Sequence, residues 1–225
     1  AVDFVESGWD VKHIVRTLVT SAAYRRSSIA EKELLDRDPY NRFYARQSRI
    51  RLEAEMVRDN ALATSGLLSL EMGGPCVFPF QPLGYWSFLN FPPREWEDSK
   101  GEDQHRRGLY TWWQRSFLQP SLLAFDAPTR EECVAERTRS NVPQQALVLL
   151  NDPTYVEAAR AFARRIQDEG GESFDARIDW AFRGALSRSP REEEVRILRG
   201  LYEKDRDWTS VARVILNLPE LITRP

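Results

Sequence analysis

Charged residues that could do chemistry are most closely spaced between positions 51 and 59. Glu55 and Asp59 are four residues apart, so a helix would place both carboxylates on one face. Paired carboxylates can act in acid and base catalysis or hold a cation. Arg51 and Arg58 alternate with these acids, and their guanidinium groups would neutralise them. The pattern therefore favours a charged helix surface with salt bridges within and between helices.

A second polar cluster, bordered by apolar residues, lies between positions 125 and 145. It precedes a helix that we expect to begin near position 143, and polar groups around a helix N-terminus can bind an anion or a hydroxyl-rich ligand. Arg139 would be the charged anchor of such a site, and Asp126, Asn141 and Gln144 would be its polar contacts. Capping and loop fixation require the same residue types, so the cluster also has a purely structural interpretation.

Prolines and aromatic residues are concentrated after position 73. Five of the 13 prolines lie between positions 75 and 93, and 11 aromatic residues lie between positions 78 and 117. Proline lacks an amide donor and restricts the residue before it, so this stretch cannot be one helix. We expect a long, ordered, aromatic loop. Its last part, positions 107–117, is compatible with one or two short strands or with a helix.

The rings of this predicted loop have two interpretations. They could stack on sugar rings, cover a haem carried by another domain or anchor a partner, because aromatic rings offer large contact areas. They could also form the core beneath the loop, which we favour because a long irregular segment must bury side chains to stay ordered. The rings concerned are Tyr85, Trp86, Trp96, Tyr110, Trp112 and Trp113.

Histidines and cysteines are too few for a metal centre of the usual kind. His13 lies in a predicted helix and His105 in a charged loop, and polarity or packing explains each of them. Cys76 and Cys133 form neither a CxxC nor a CxxCH motif, which excludes a local zinc knuckle and a c-type haem attachment site in this chain. They are either two separate thiols or one disulfide. We expect no metal and no cofactor in this chain, and no nucleophile-elbow, dinucleotide or phosphate-loop motif is present.

Composition excludes further classes of partner. The 225 residues carry a formal net charge of -2, which leaves no basic surplus for a nucleic-acid backbone. No apolar run is long enough to span a membrane. We therefore expect neither nucleic acid as a partner nor a membrane span.

Apolar spacing predicts the helices that must position these residues. Asp10 would cap a first helix, whose stripe Val11, Ile14, Val15, Leu18 and Val19 is expected to face the core. A short helix is expected near positions 29–35. Another is expected over positions 49–68, with Leu52, Met56 and Ala63 near one face and the charged residues on its surface.

The last third of the chain has the clearest helix boundaries. Thr129 and Glu132 form a possible capping box for a short helix. Further helices are expected from about positions 143, 153, 173, 190 and 209, joined by short loops, as in an antiparallel array. The fold class is therefore mainly α, a multi-helix array with a long Pro- and aromatic-rich central loop. We expect one helical domain over 1–225, with N-terminal helices in 1–72, the aromatic loop region in 73–128 and the helical array in 129–225.

Several segments resemble a planctomycete-type domain of unknown function, over nearly the whole chain. They are Gly8–His13, Thr20–Tyr24, Arg51–Glu55 with Arg58 and Asp59, Phe125–Pro128, and Ser140–Pro153. The resemblance implies a domain at the C-terminal end of exported multidomain proteins, behind a second domain of unknown function and often a cytochrome c module. It implies a periplasmic or cell-surface location, with any haem in another domain. The chain begins within a helical pattern, so we expect a fragment of a larger protein.

Two functional hypotheses follow. The first is a noncatalytic structural or interaction module that docks onto a neighbouring domain of its parent protein, and it predicts exposed apolar surface near the N-terminus. The alternative is part of a glycan-binding, polysaccharide-active or redox site, with polysaccharide as the partner and no catalytic residue yet assigned. It predicts that one pocket brings together Glu55, Asp59, Trp112, Trp113, Asp126, Arg139, Asn141 and Gln144.

Overall fold

The computed structural model describes residues 1–85, 95–114 and 118–224, and the described chain is mainly α-helical, as predicted. It divides into two compact units. Unit 1 consists of Ala1–Arg51 with Thr223–Pro225, and unit 2 consists of Leu52–Ile222. That the two units form one domain stays a prediction.

Unit 1 contains three short helices and a small strand pair. The helices are α1 (Val2–Glu6), α2 (Val11–Thr20) and α3 (Lys32–Arg37). Strand β1 (Ile50–Arg51) pairs antiparallel with β2 (Thr223–Arg224). The Asp10 side chain accepts hydrogen bonds from the amides of Lys12 and His13, which confirms the predicted N-cap of α2.

Unit 2 is a bundle built around one long central helix. Its helices are α4 (Ala54–Ser65), α5 (Pro120–Ala124), α6 (Pro143–Asn151), α7 (Pro153–Glu169), α8 (Phe174–Leu186), α9 (Glu192–Asp205), α10 (Trp208–Leu216) and α11 (Pro219–Ile222). Helix α7 contacts α4, α6, α8 and α10. Ala158, Phe162 and Ile166, four residues apart, are fully buried on its inner face. The predicted helical array of the last third is confirmed.

Helix boundaries in unit 2 follow local capping rules. The Asp152 side chain accepts a hydrogen bond from the Thr154 amide, and Pro153 occupies the first turn of α7. Helix α4 ends at Gly66, whose left-handed φ of 78° turns the chain out of the helix. Helix α4 is therefore shorter than the predicted span of 49–68.

The prediction of which face of α4 is buried is wrong. Met56 is exposed, whereas Val57, Arg58 and Leu62 are buried. Half of the apolar residues of α4 are alanines, which are weakly hydrophobic and so define the apolar face poorly, and a buried arginine reverses the expected sides. Long-range contacts, and not the local pattern, decide which face turns inward.

The segment after α4 is mostly irregular, as predicted, although it contains two short 3-10 turns and α5. The 3-10 turns are Gly101–His105 and Gly108–Tyr110. Single-residue bridges join Ser69 to Arg106 and Val77 to Thr111. In the described part of 73–128, these bridges take the place of the expected short strands. Residues 115–117, also part of that expectation, lie outside the described residues.

The short helix predicted from Thr129 and Glu132 is wrong, since residues 128–142 are not helical. Arg130 has a left-handed φ of 65°, which a right-handed helix does not accept at its start. Its guanidinium lies over the Trp113 ring, with 3.8 Å between Cζ and the ring centroid. This cation–π contact links Arg130 to a distant part of the chain, and a local capping signal cannot reveal such a link.

Candidate interaction surface

Glu55 is paired with a cation from a distant loop. The guanidinium of Arg137 donates to both Glu55 oxygens, at 2.7 Å from Nη1 and 3.3 Å from Nη2. Arg137 also lies 2.9 Å from a carboxylate oxygen of Glu53. The hydrogen bond to Glu55 raises the pKa of Arg137. These contacts attach the 129–142 loop to the first turn of α4, which is a structural role.

Asp59 and Arg58 hold an irregular segment against α4. The amide of Gly108 donates to Asp59 at 2.6 Å, and Arg58 Nη1 donates to the Arg106 carbonyl at 2.6 Å. A Cβ on Gly108 would lie 3.0 Å from the Cα of Glu55, so the backbone approaches the helix closely. Burial raises the pKa of Asp59 and lowers that of Arg58. Both side chains therefore act as a clamp between α4 and residues 104–108.

A buried polar cluster surrounds this clamp, and sequence reasoning missed it. Arg58 and Tyr155 are 2% and 1% exposed, and Asp152 lies close enough to affect the pKa of both. Burial raises the pKa of Asp152 and that of Tyr155. The Tyr155 hydroxyl and the Arg58 Nε have no hydrogen-bond partner among the described residues. A charged residue in an amphipathic pattern gives no signal that it will be buried.

Asp126 fixes the end of the 129–142 loop. Its carboxylate accepts from the Ser140 amide at 2.7 Å and from the Ser140 hydroxyl at 2.9 Å. The Gln145 side-chain amide, buried on α6, lies 3.3 Å from the same hydroxyl. Loop fixation, one of the two interpretations from sequence, accounts for these contacts.

One of the eight predicted site residues, Asp126, lines a cavity, and two others, Glu55 and Trp113, contact arginines of its lining. This cavity, of about 390 Å³, is lined by residues that include Asp126, Arg130 and Arg137. Glu55 is paired with Arg137, and the Trp113 ring is covered by Arg130. Five predicted residues are not part of its lining or of these pairs: Asp59, Trp112, Arg139, Asn141 and Gln144. The two cations at this cavity are therefore already engaged by protein groups.

The other aromatic rings of the central loop pack on one another within unit 2. Trp96 and Trp112 contact Phe78, with ring centroids 5.1 Å and 5.4 Å apart. The Tyr85 hydroxyl donates to a carbonyl, and the Tyr110 ring lies under the Arg106 guanidinium. These rings are half-buried and are not part of the main hydrophobic core, against which Trp113 packs, so the favoured core interpretation holds only for part of the described loop. Trp86 lies outside the described residues.

Histidines and cysteines are not brought together. His13 lies 3.0 Å from Asp3 and His105 lies 3.3 Å from Glu157, each as a single pair. Cys76 and Cys133 are both exposed and unbonded. Within the described ranges, no group of three or more potential ligand side chains could hold a metal ion. None of the described helices is long and apolar enough to cross a membrane.

Helix α2 in unit 1 carries an exposed apolar stripe, here called the α2 face. It consists of Val11, Val15, Leu18 and Val19, whose exposed fractions range from 40% to 65%. No residue of α2 is buried. The predicted amphipathic helix is confirmed, but the prediction that its stripe faces the core is wrong. Exposed apolar surface near the N-terminus is what the docking hypothesis predicted.

A tightly folded loop after α3, residues 38–46, is a feature that sequence reasoning missed. The buried Asp38 carboxylate accepts from the amides of Arg42 at 2.8 Å and Phe43 at 2.9 Å. These bonds, led by that from Phe43, lower the pKa of Asp38. The Arg46 guanidinium donates to the carbonyls of Asp38 and Pro39. The loop is thus fixed by its own polar groups.

This loop presents three aromatic rings to solvent. Tyr40, Phe43 and Tyr44 are 80%, 82% and 77% exposed. The Tyr44 carbonyl accepts from Arg26 at 2.6 Å, and Gln47 donates to the carbonyls of Ala23 and Tyr24, which connects the loop to the chain after α2. A signal was available, because Asp38-Pro39 and Asn41 favour turns, but it gives no direction for the rings.

Comparison with known proteins adds a family and no activity. A family model described as a protein of unknown function (DUF1553) matches residues 1–202, most of the chain. No curated protein and no solved structure matches.

Proposed function

We propose, from the premise that this chain belongs to the PSD1 family of proteins of unknown function, that it is a noncatalytic structural or interaction module. It docks onto a neighbouring domain of its parent protein through the α2 face. The observation that carries this proposal is a whole helix with apolar spacing and no buried residue. Contiguous exposed apolar surface on a folded protein marks an interaction site.

Energetics support docking through the α2 face. Full burial of a valine or leucine side chain stabilises a structure by roughly 1.5–3 kcal/mol. Four such side chains, each already partly covered, would together contribute several kcal/mol to an interface, before the cost of association is subtracted. This is enough to favour a lasting contact between two domains that are held in one chain, because linkage raises their effective concentration.

A second part of the proposal concerns where the parent protein is located and which other domains it contains. Segments such as Gly8–His13 and Ser140–Pro153 support an exported parent, periplasmic or at the cell surface, through their resemblance to the planctomycete-type domain. Any haem would then lie in another domain of that protein. A cytochrome module there would make the docked domain a structural support for redox chemistry elsewhere.

The alternative, a glycan-binding or polysaccharide-active site, has one supporting observation. Asp126 lines the 390 Å³ cavity, whose size suits a small ligand, and Glu55 and Trp113 contact arginines that line it. Arg137 and Ser140 engage the carboxylates of Glu55 and Asp126, and Arg130 covers the ring of Trp113. A ligand would have to displace these bonds, so we prefer the docking module.

The test is calorimetric titration of the chain with the rest of its parent protein, produced separately. Leu18→Glu places a charge in the centre of the α2 face and is expected to abolish binding. Thr17→Glu, on the neighbouring exposed position of the same helix, is the matched control and should bind like the wild type. Absence of binding, or equal binding by both variants, would overturn the proposal.

A further inference from the structure

Unit 1 has a second exposed surface, and its charge is one-sided. Residues 39–51 contain four arginines and no aspartate or glutamate. The nearest acid in sequence, Asp38, is buried and accepts two backbone hydrogen bonds, so it offers no accessible charge, whereas the exposed acids Glu33 and Asp36 lie on the preceding helix α3. Arg42 and Arg49 are exposed. This part of unit 1 therefore presents positive charge in a chain with a formal net charge of -2.

A cavity of about 520 Å³ lies beside this loop within unit 1. Its apolar lining includes Ile29, Leu35 and Tyr40, and Arg49 is at its edge. No carboxylate is among the residues that line it. The hydroxyl of Ser28, also in the lining, is buried and has no hydrogen-bond partner among the described residues. The cavity thus combines an apolar wall, a cation and an unused polar atom.

Internal hydrogen bonds hold the 38–46 loop in one conformation before a partner binds. Asp38 and Arg46 fix its backbone, so the exposed rings of Tyr40, Phe43 and Tyr44 lose little backbone freedom when a partner covers them. Tyrosine and arginine are enriched among the residues that dominate protein–protein affinity. Three such rings beside exposed arginines form a compact set of anchors.

We infer that this surface, Tyr40–Tyr44 with Arg49 and the adjoining cavity, docks an acidic and apolar segment of a partner protein. An apolar side chain of that segment enters the cavity against Ile29 and Leu35. Its carboxylates pair with Arg42 and Arg49, since guanidinium forms bidentate bonds with carboxylates. The inference deepens the proposed docking function and rests on it, with a second contact surface in the same unit.

Charge and shape favour a protein over other anionic partners. Nucleic acids and acidic polysaccharides would satisfy the arginines, but the polar edges of bases and the hydroxyl groups of polysaccharides would be left unpaired against the apolar wall of Ile29 and Leu35. A peptide supplies both parts, a leucine or phenylalanine side chain beside aspartate or glutamate. Charge complementarity of this kind sets specificity and the rate of encounter.

The experiment is a random-peptide phage selection on the whole purified chain, followed by fluorescence anisotropy on the enriched peptides. We expect these peptides to combine aspartate or glutamate with leucine, isoleucine or phenylalanine. Arg42→Glu with Arg49→Glu, and separately Phe43→Ser, are expected to weaken their binding by about tenfold or more. Raising the salt concentration should weaken it as well. All three positions are exposed, and circular dichroism verifies that each variant is folded.

Matched controls separate this inference from the proposed function. Arg16→Glu reverses a charge on α2 of the same unit and should leave peptide binding unchanged, as should Leu18→Glu. Enriched peptides without acids, no enrichment, or binding that survives the Arg42 and Arg49 reversals would overturn the inference. Binding of polygalacturonate or oligothymidylate in place of peptides would overturn it too. If Leu18→Glu abolishes docking while those reversals do not affect the peptides, the proposed function stands and this inference fails.

Discussion

Helices α2 and α7 have similar apolar spacing, but α7 buries its apolar side chains and α2 exposes them. In α7, side chains at intervals of three and four residues are buried, and Phe162 and Ile166 are wholly covered. In α2, Val11, Val15 and Leu18 have the same spacing and are exposed. Periodicity therefore identifies an amphipathic face, but it does not show whether the chain itself supplies the surface that covers it. Unit 2 buries its apolar side chains in its own core, whereas unit 1 leaves the apolar side chains of α2 exposed.

The largest expected effect is the loss of a ring from the centre of unit 2. Phe162→Ala should lower the free energy of unfolding by about 3–5 kcal/mol, because it removes buried apolar area and leaves a cavity beside Trp180 of α8. Urea denaturation followed by circular dichroism measures it. Phe162→Leu, which retains most of the volume, is the control and should cost clearly less. A loss below about 1 kcal/mol for Phe162→Ala would contradict the assignment of α7 as the central helix.

A smaller effect is expected where the backbone passes close to α4. Gly108→Ala places a Cβ at 3.0 Å from the Cα of Glu55, so the segment must move and the Asp59 bond weakens. We expect a loss of about 1–3 kcal/mol in the free energy of unfolding. Gly200→Ala, at a helical position with open space around it, is the control and should stabilise slightly. Equal effects of the two substitutions would contradict the close approach at Gly108.

A pH effect is expected from the buried carboxyl of Asp59. Burial raises its pKa above the ordinary value of 3.8, so the folded state holds this proton more tightly than the unfolded state. Protonated Asp59 therefore adds to the free energy of unfolding. This stabilisation is fully present below the pKa of the aspartate in the unfolded chain, and it is lost as the pH rises through the pKa of Asp59 in the folded protein. Asp59→Asn should flatten this part of the pH profile of the unfolding free energy, measured by urea titrations from about pH 3.5 to 6. The exposed Asp175→Asn is the control, and an unchanged slope in Asp59→Asn would contradict the burial of a protonatable group.

The smallest effect is expected at the α2 face. Leu18→Ala should change the free energy of unfolding by less than about 0.5 kcal/mol, because its side chain is exposed. Differential scanning fluorimetry on Leu18→Ala and on Thr17→Ala should give closely similar melting temperatures. A destabilisation of Leu18→Ala approaching that of Phe162→Ala would mean that the chain itself covers α2.

Much of unit 2 could be predicted from the sequence, because its signals are local. Asp152 with Pro153 marks a helix start, and the helices from position 143 onward lie close to the spans that apolar spacing predicts. Asp10 likewise marks the start of α2. Capping and periodicity involve residues within a few positions of each other, so a single sequence contains them.

The rest depends on contacts that a single sequence does not reveal. Arg58 belongs to a charged pattern and yet is buried, because carbonyl groups at Gln104 and Arg106 accept its hydrogen bonds. Arg130, predicted to lie in a short helix, instead has its guanidinium over the ring of Trp113. For the candidate site, Glu55 and Asp126 were singled out as polar residues, but only the structure shows that they pair with Arg137 and Ser140.

The strand pair of unit 1 has a consequence for synthesis. Strand β1 ends at Arg51 and its partner β2 begins at Thr223, so a ribosome must add all of residues 52–222 before the pair can close. At roughly 5–20 residues per second this delay is about ten to thirty seconds. For most of that interval the α2 face and the exposed rings of Tyr40, Phe43 and Tyr44 are outside the ribosomal tunnel, while the strand that pairs with β1 is still to be translated. A nascent chain therefore exposes the apolar side chains of its first fifty residues before this strand pair can form.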